Sequence, residues 1–99
     1  DKKINFNKNA FIVHNQIRAL HSKPGSYCKL ENKRVKLFDT YFNNNDNLNV
    51  GEFIINGDNL YIGCKKGQLE VKAIQIEGKA KITVQDFSNN QKYKNSFFE

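Results

Sequence analysis

The chain has 99 residues, with 16 Lys and Arg against 10 Asp and Glu, a formal net charge of +6, two cysteines and no tryptophan. That length accommodates one hydrophobic core and excludes a cofactor-binding domain joined to a separate substrate domain. No apolar run reaches the ~20 residues of a membrane-crossing helix, and the opening DKKINFNKN lacks the apolar centre of a signal peptide, so the chain reads as a soluble, unsecreted, cytoplasmic module.

Residues 9–21 carry Ala10, Val13, Ile17 and Leu20 at helical spacing on one face, with Asn9 as N-cap. Pro24 and Gly25 end that helix, because proline lacks a backbone donor and glycine tolerates the turn. The period then changes to two. Residues 26–31 (SYCKLE) and 34–42 (RVKLFDTYF) read as strands about a tight turn at Asn32-Lys33. Residues 51–56 (GEFIIN) and 60–64 (LYIGC) form a second pair about Gly57-Asp58-Asn59, and Lys65-Lys66-Gly67 turns into a strand at 68–77 (QLEVKAIQIE). In that last strand Leu69, Val71 and Ala73 share one face whereas Ile74 and Ile76 share the other. A bulge or sharp bend is therefore expected, as at the corners of barrels. Past Gly78, residues 79–82 (KAKI) read as extended, and a short helix follows, capped by Thr83 with Asp86 at capping-box spacing. The tail QKYKNSFFE has no clear period. The fold predicted is mainly β: an OB-like small antiparallel barrel of five to six strands with an N-terminal helix and a short C-terminal helix.

Charge is laid down in blocks. Residues 1–36 hold nine Lys/Arg against two acids and residues 65–81 five against two, whereas residues 37–64 hold none against four. Segregation of this kind favours a positive surface facing an anionic partner over cations scattered for solubility.

Nothing in the sequence assembles a catalytic site. His14 and His21 are about two helical turns apart, and no acid between Asp1 and Glu31 is placed to orient an imidazole. Both read as partly exposed helical histidines. The glycines mark turns and lack phosphate-loop spacing. Asp39, Asp46, Glu52 and Asp58 lie in or near polar turns, where solvation accounts for them. Cys28 and Cys64 stand apart with no cluster of further ligands, so they read as free thiols, and no metal is expected. What remains is basic and aromatic. Arg34 and Lys36 alternate on one strand face with Phe38 beyond them, Lys79 and Lys81 alternate further on, and Lys65 and Lys66 occupy a turn. Such residues neutralise phosphates. Phe38, Tyr41, Phe42 and Phe53 read as core in preference to base-stacking platforms, with Tyr27 beside the Pro-Gly turn less decided.

INF at 4–6, HNQIRALHSKPGSY at 14–27, VKLF at 35–38, VGEF at 50–53, GQLEVKAIQIEGK at 67–79 and QDFSNN at 85–90, taken together and in this order, resemble the C-terminal domain of the methionyl-tRNA formyltransferases. The resemblance implies an OB-like barrel at 9–99, preceded at 1–8 by a linker from an N-terminal Rossmann-like catalytic domain. That domain would formylate methionine on the initiator tRNA with 10-formyltetrahydrofolate, so no cofactor is expected in the barrel. Catalytic residues are expected elsewhere, and Arg18, Lys23, Arg34, Lys36, Lys65, Lys66, Lys79 and Lys81 become the expected tRNA contacts. The chain departs from the family in two places: Lys23 stands in His21-Ser22-Lys23-Pro24-Gly25 where an aromatic is common, and Gly78-Lys79-Ala80-Lys81-Ile82 displaces the second lysine by one. The alternatives are the tail of an amino-sugar formyltransferase or of a 10-formyltetrahydrofolate hydrolase or dehydrogenase, a free-standing OB-fold module for single strands, and a structural domain without a ligand.

Overall fold

A computed structural model describes residues 2–20, 25–89 and 97–99. The readings made for His21, Ser22, Lys23 and Pro24 lie outside the described residues. Helix α1 spans Ala10–Ala19, and the Asn9 side chain caps it by accepting the Phe11 backbone N–H at 3.0 Å. It ends at Leu20, whose N–H donates to the Gln16 carbonyl, so Leu20 is a cap and only partly buried. Ala10, Val13, His14 and Ile17 form the buried stripe. The expectation of a partly exposed His14 is thus corrected, since it is buried and positions 10, 13, 14 and 17 share one helical face.

The strands are β1 (Lys2–Lys3), β2 (Ser26–Leu30), β3 (Lys33–Asn43), β4 (Phe53–Asn56), β5 (Asn59–Gly63), β6 (Gln68–Ile76) and β7 (Ile82–Thr83), and helix α2 spans Val84–Asn89. The five longer strands, β2 to β6, are the expected ones, and the mainly β architecture with a helix near each end is observed. The β2–β3 turn is at Glu31-Asn32, one residue before the position expected. Both turn residues have positive φ, 49° and 73°, as a two-residue hairpin turn of matching twist requires, and Asn32 tolerates that conformation where Lys33 would not. Residues 79–81 also differ from expectation. Lys79 follows the turn at Gly78 and its N–H donates to the Ile76 carbonyl, so only Ile82 of the KAKI segment joins the sheet.

Strand order is β1-β2-β3-β6-β5-β4, with β7 on β6. The patternless tail bridges two parts of this sheet. Lys29 and Glu99 exchange backbone hydrogen bonds of 2.7 and 2.9 Å, Phe98 N–H donates to the Gly51 carbonyl at 2.8 Å, and Phe97 bridges to Glu52. Residues 97–99 thereby join Lys29 of β2 to Gly51 and Glu52 at the entry of β4. From the N-terminal segment, Ile4 and Phe6 enter the core.

The inward face of β6 changes between Ala73 and Ile74, and β3 changes with it. Val35 and Leu37 point into the core before Asp39, and Thr40 does so after it. Asp39 takes φ +54°, and the pairs Phe38–Ala73 and Thr40–Val71 keep the same count across it. The device is therefore a bend without an inserted residue. The Thr83 hydroxyl accepts the Asp86 N–H at 3.1 Å, which starts α2 as expected. Among the described residues, no helix is long and apolar enough to cross a membrane.

Candidate nucleic-acid interface

The outer face of β3 presents Arg34, Lys36 and Phe38 in alternation, since Val35 and Leu37 are taken by the core. Flanking elements then add to it. From β2, Tyr27 places its ring under the Arg34 guanidinium at 4.2 Å. From β6, Gln75 lies opposite Lys36 and donates through Nε2 to the Lys79 carbonyl at 3.0 Å, which holds the Gly78 turn against this face. Lys81 places its ammonium 4.4 Å from the centre of the Phe38 ring. Cations over aromatic faces are held in place by the ring quadrupole. Glu77 also lies here, accepting the Arg34 backbone N–H, so the face carries one carboxylate among its cations.

Beside this face, a groove of about 660 Å³ runs between the C-terminal half of α1 and the bend of β3. Arg18 and Lys81 line it together with His14, Phe38, Asp39 and Tyr41. Five expected residues, Arg18, Arg34, Lys36, Lys79 and Lys81, are thus gathered around β3 from three separate stretches of sequence.

Lys65 and Lys66 go elsewhere. The Lys65 N–H donates to the Phe6 and Lys8 carbonyls and the Lys66 carbonyl accepts the Ala10 N–H, which places both at the N-terminal end of α1. Along the helix that end lies about 12 Å from Arg18. Their side chains are exposed. Lys23 lies outside the described residues.

Three aromatic assignments are corrected. Phe53 is core, at 4% exposure, but Phe38 is half-buried on the outer face of β3 and Tyr41 and Phe42 are 56% and 40% exposed. The Asp39 bend resets the alternation so that Thr40 turns inward and Tyr41 outward, whereas Phe42, on the face of Thr40, lies exposed with its ring against Phe11. Local spacing alone carried no signal of this, because hydrophobicity favours burial of both rings.

His14 donates or accepts at Nδ1 with the Thr40 hydroxyl at 2.9 Å. Burial, and secondarily the nearby Arg18 guanidinium, lowers its pKa below the ordinary 6.5. Between that ordinary value and the lower folded one, the unfolded chain holds the extra proton, so stability falls as pH drops through this window and levels off below the folded pKa. Urea unfolding at about pH 7.5 and about pH 5 should show this loss, and His14→Gln, which cannot titrate, should narrow the difference. An unchanged difference in the variant would assign the pH dependence to other groups.

The remaining polar groups are structural. Asp46 accepts the Gly67 N–H at 2.6 Å, Glu52 accepts the Asn49 N–H at 2.9 Å, and Asp58 stands 3.9 Å from Lys72 in an exposed pair. Cys28 and Cys64 are free and buried, and burial raises both thiol pKa values, that of Cys64 to about 11. Among the described residues no group of three His, Cys, Asp or Glu is arranged to hold a metal ion.

Residues 1–92 match the family model described as "Formyl transferase, C-terminal domain". Similar proteins include the methionyl-tRNA formyltransferase of Malacoplasma penetrans, 38% identical over 91 residues, which are 90% of this chain and 29% of that protein. Others are those of Thermotoga neapolitana, 36% identical over 89% of this chain and 28% of the relative, and of Rickettsia bellii, 31% identical over 86% and 28%. The chain thus spans under a third of the length of these relatives. Over nearly all of its own length, from β1 through α2, this chain belongs to the formyl transferase C-terminal domain family.

Proposed function

We propose that this chain is the tRNA-binding C-terminal domain of a cytoplasmic methionyl-tRNA formyltransferase. In this reading an N-terminal Rossmann-like domain, joined through residues 1–8, binds 10-formyltetrahydrofolate and transfers its formyl group to the amino group of methionine on the initiator tRNA. The barrel contributes position. Its cations neutralise tRNA phosphates and hold the aminoacyl end near the catalytic domain, which raises the effective concentration of the reactants without bond chemistry of its own. In this reading the folate is bound by that other domain.

The observation that carries this reading is the gathering of Arg34, Lys36 and Lys81 on one exposed face, with Arg34 and Lys81 seated over aromatic rings. Initiator tRNA binding followed across a salt series is the test. Affinity should fall steeply with salt, and the triple variant Arg18→Gln, Lys36→Gln, Lys81→Gln should flatten the log–log slope by about 2–3, one part per lost phosphate contact. Lys65→Gln with Lys66→Gln should flatten it by ~1–2 if the tRNA spans both ends of α1. Absence of tRNA binding at low salt would defeat the proposal, and wild-type slopes in both variants would place the contact surface elsewhere.

A further inference from the structure

Three large aromatic side chains stand open beside the groove. Tyr41 is 56% exposed, Phe42 40% and Phe11 51%. Tyr41 and Phe42 flank His14, with ring centroids 6.4 Å and 5.6 Å from its ring, the former tilted by only 18°, and Phe11 packs on Phe42 at 5.4 Å. A clustered aromatic surface of this kind marks a contact site in a small domain. Its electrostatic setting narrows the occupant. Tyr41 shares the groove lining with Arg18 and Lys81, against the single carboxylate of Asp39, so the aromatic ring borders a net positive trough. An apolar protein segment would use the rings and leave the cations without partners. An unpaired nucleotide uses both, since its base has a π-face and its backbone carries phosphates.

We propose that the groove between α1 and the Asp39 bend of β3 receives an unpaired nucleotide of the RNA, its base stacked on Tyr41 and its flanking phosphates between Arg18 and Lys81. This deepens the tRNA-binding reading and rests on it. The platform is held before the ligand arrives. His14 lies nearly parallel to the Tyr41 ring and is tied to Thr40 at 2.9 Å, and Lys81 is seated over Phe38, so little side-chain freedom is lost on binding. Asp39 offers only acceptor oxygens to the groove. It suits the exocyclic amino group of adenine, cytosine or guanine, whereas uracil has no such group.

The test titrates the chain with a short single-stranded ribonucleotide carrying a central 2-aminopurine, and separately with a blunt RNA duplex that has no unpaired base. Tyr41→Ala should weaken single-strand binding about 10-fold or more and abolish quenching of the 2-aminopurine, while its salt slope and duplex binding stay as in the wild type. Tyr41→Phe keeps the ring and should bind within about 2-fold of the wild type. Arg18→Gln with Lys81→Gln should instead reduce the salt slope by about 1–2. Tyr41 is exposed, so its variants test the surface without disturbing the core. Unchanged single-strand affinity and quenching in Tyr41→Ala, an equal loss for duplex and single strand, or no single-strand binding by the wild type would each overturn the groove proposal. If tRNA and duplex bind with steep salt dependence in any of those cases, the tRNA reading survives alone. Single-strand binding that depends on Tyr41, with no binding of tRNA, would remove the tRNA reading and keep the groove.

Discussion

Phe98→Ala is expected to destabilise the chain by about 3–4 kcal/mol, the range for emptying a buried phenylalanine site. Phe98 is only 4% exposed and packs on Phe53 with ring centroids 4.6 Å apart. The side chain also anchors a backbone connection. Its own N–H reaches Gly51 and the next residue pairs with Lys29, so losing the ring loosens the only described segment that joins β2 to the start of β4. A domain of this size has about 5–15 kcal/mol of total stability, so the variant should be marginal near body temperature. Denaturant midpoints measure the loss, with Phe98→Leu as a control that refills most of the volume and retains part of the stability. Hydrogen exchange locates it: the amides of Lys29, Phe98 and Glu99 should exchange faster than those pairing β3 with β6. A loss under ~1 kcal/mol, or protection unchanged at those amides, would mean the tail is not a bridging element.

Gly67→Ala should cost about as much, some 3 kcal/mol, through the backbone alone. Gly67 has φ +78°, and an added Cβ would lie 2.4 Å from the Asn43 carbonyl oxygen and 3.2 Å from the Ala10 Cβ. The neighbour is main chain at the end of β3 and cannot rotate away. The turn also receives α1, because the Lys66 carbonyl accepts the first helical N–H at Ala10. Gly57 separates the two causes. It has φ +66° but nothing within 4 Å of an added Cβ, so Gly57→Ala should cost only the ~1 kcal/mol of the left-handed conformation. Equal losses at the two positions would show that conformation, and not the close approach of Asn43, decides the effect.

Much of the architecture was legible in local pattern. The Asn9 cap and the burial of Ala10, Val13 and Ile17 in α1, the hairpin of β4 and β5, the extent of β6 and its change of face, and the Thr83 cap of α2 all follow from residues within a turn or a few strand positions of each other. Two turns lie differently from their local expectation. The β2–β3 turn moved by one residue because positive φ was needed at two consecutive positions, and the segment before β7 failed to pair because Gly78 turns the chain there.

The cations of the candidate site were visible one by one, together with their concentration into blocks and the resemblance that gave them a partner. Their grouping was not visible. Arg18 meets Lys81 because α1 lies across β3, and Lys79 joins Lys36 through Gln75 on a strand some forty residues away in sequence. The same packing sends Lys65 and Lys66 to the other end of the helix.

By itself, then, the sequence determined the class of fold, the family, the excess of positive charge and the absence of any local catalytic motif, since each is a matter of composition, periodicity or residue order. Tertiary structure alone decided that a tail without period joins β2 to the entry of β4, that His14 is buried against Thr40, and that Tyr41 faces solvent beside two cations. Each of those depends on contacts between segments distant in the chain, and in β3 on one backbone bend at Asp39, and neither is encoded in the spacing of neighbouring residues.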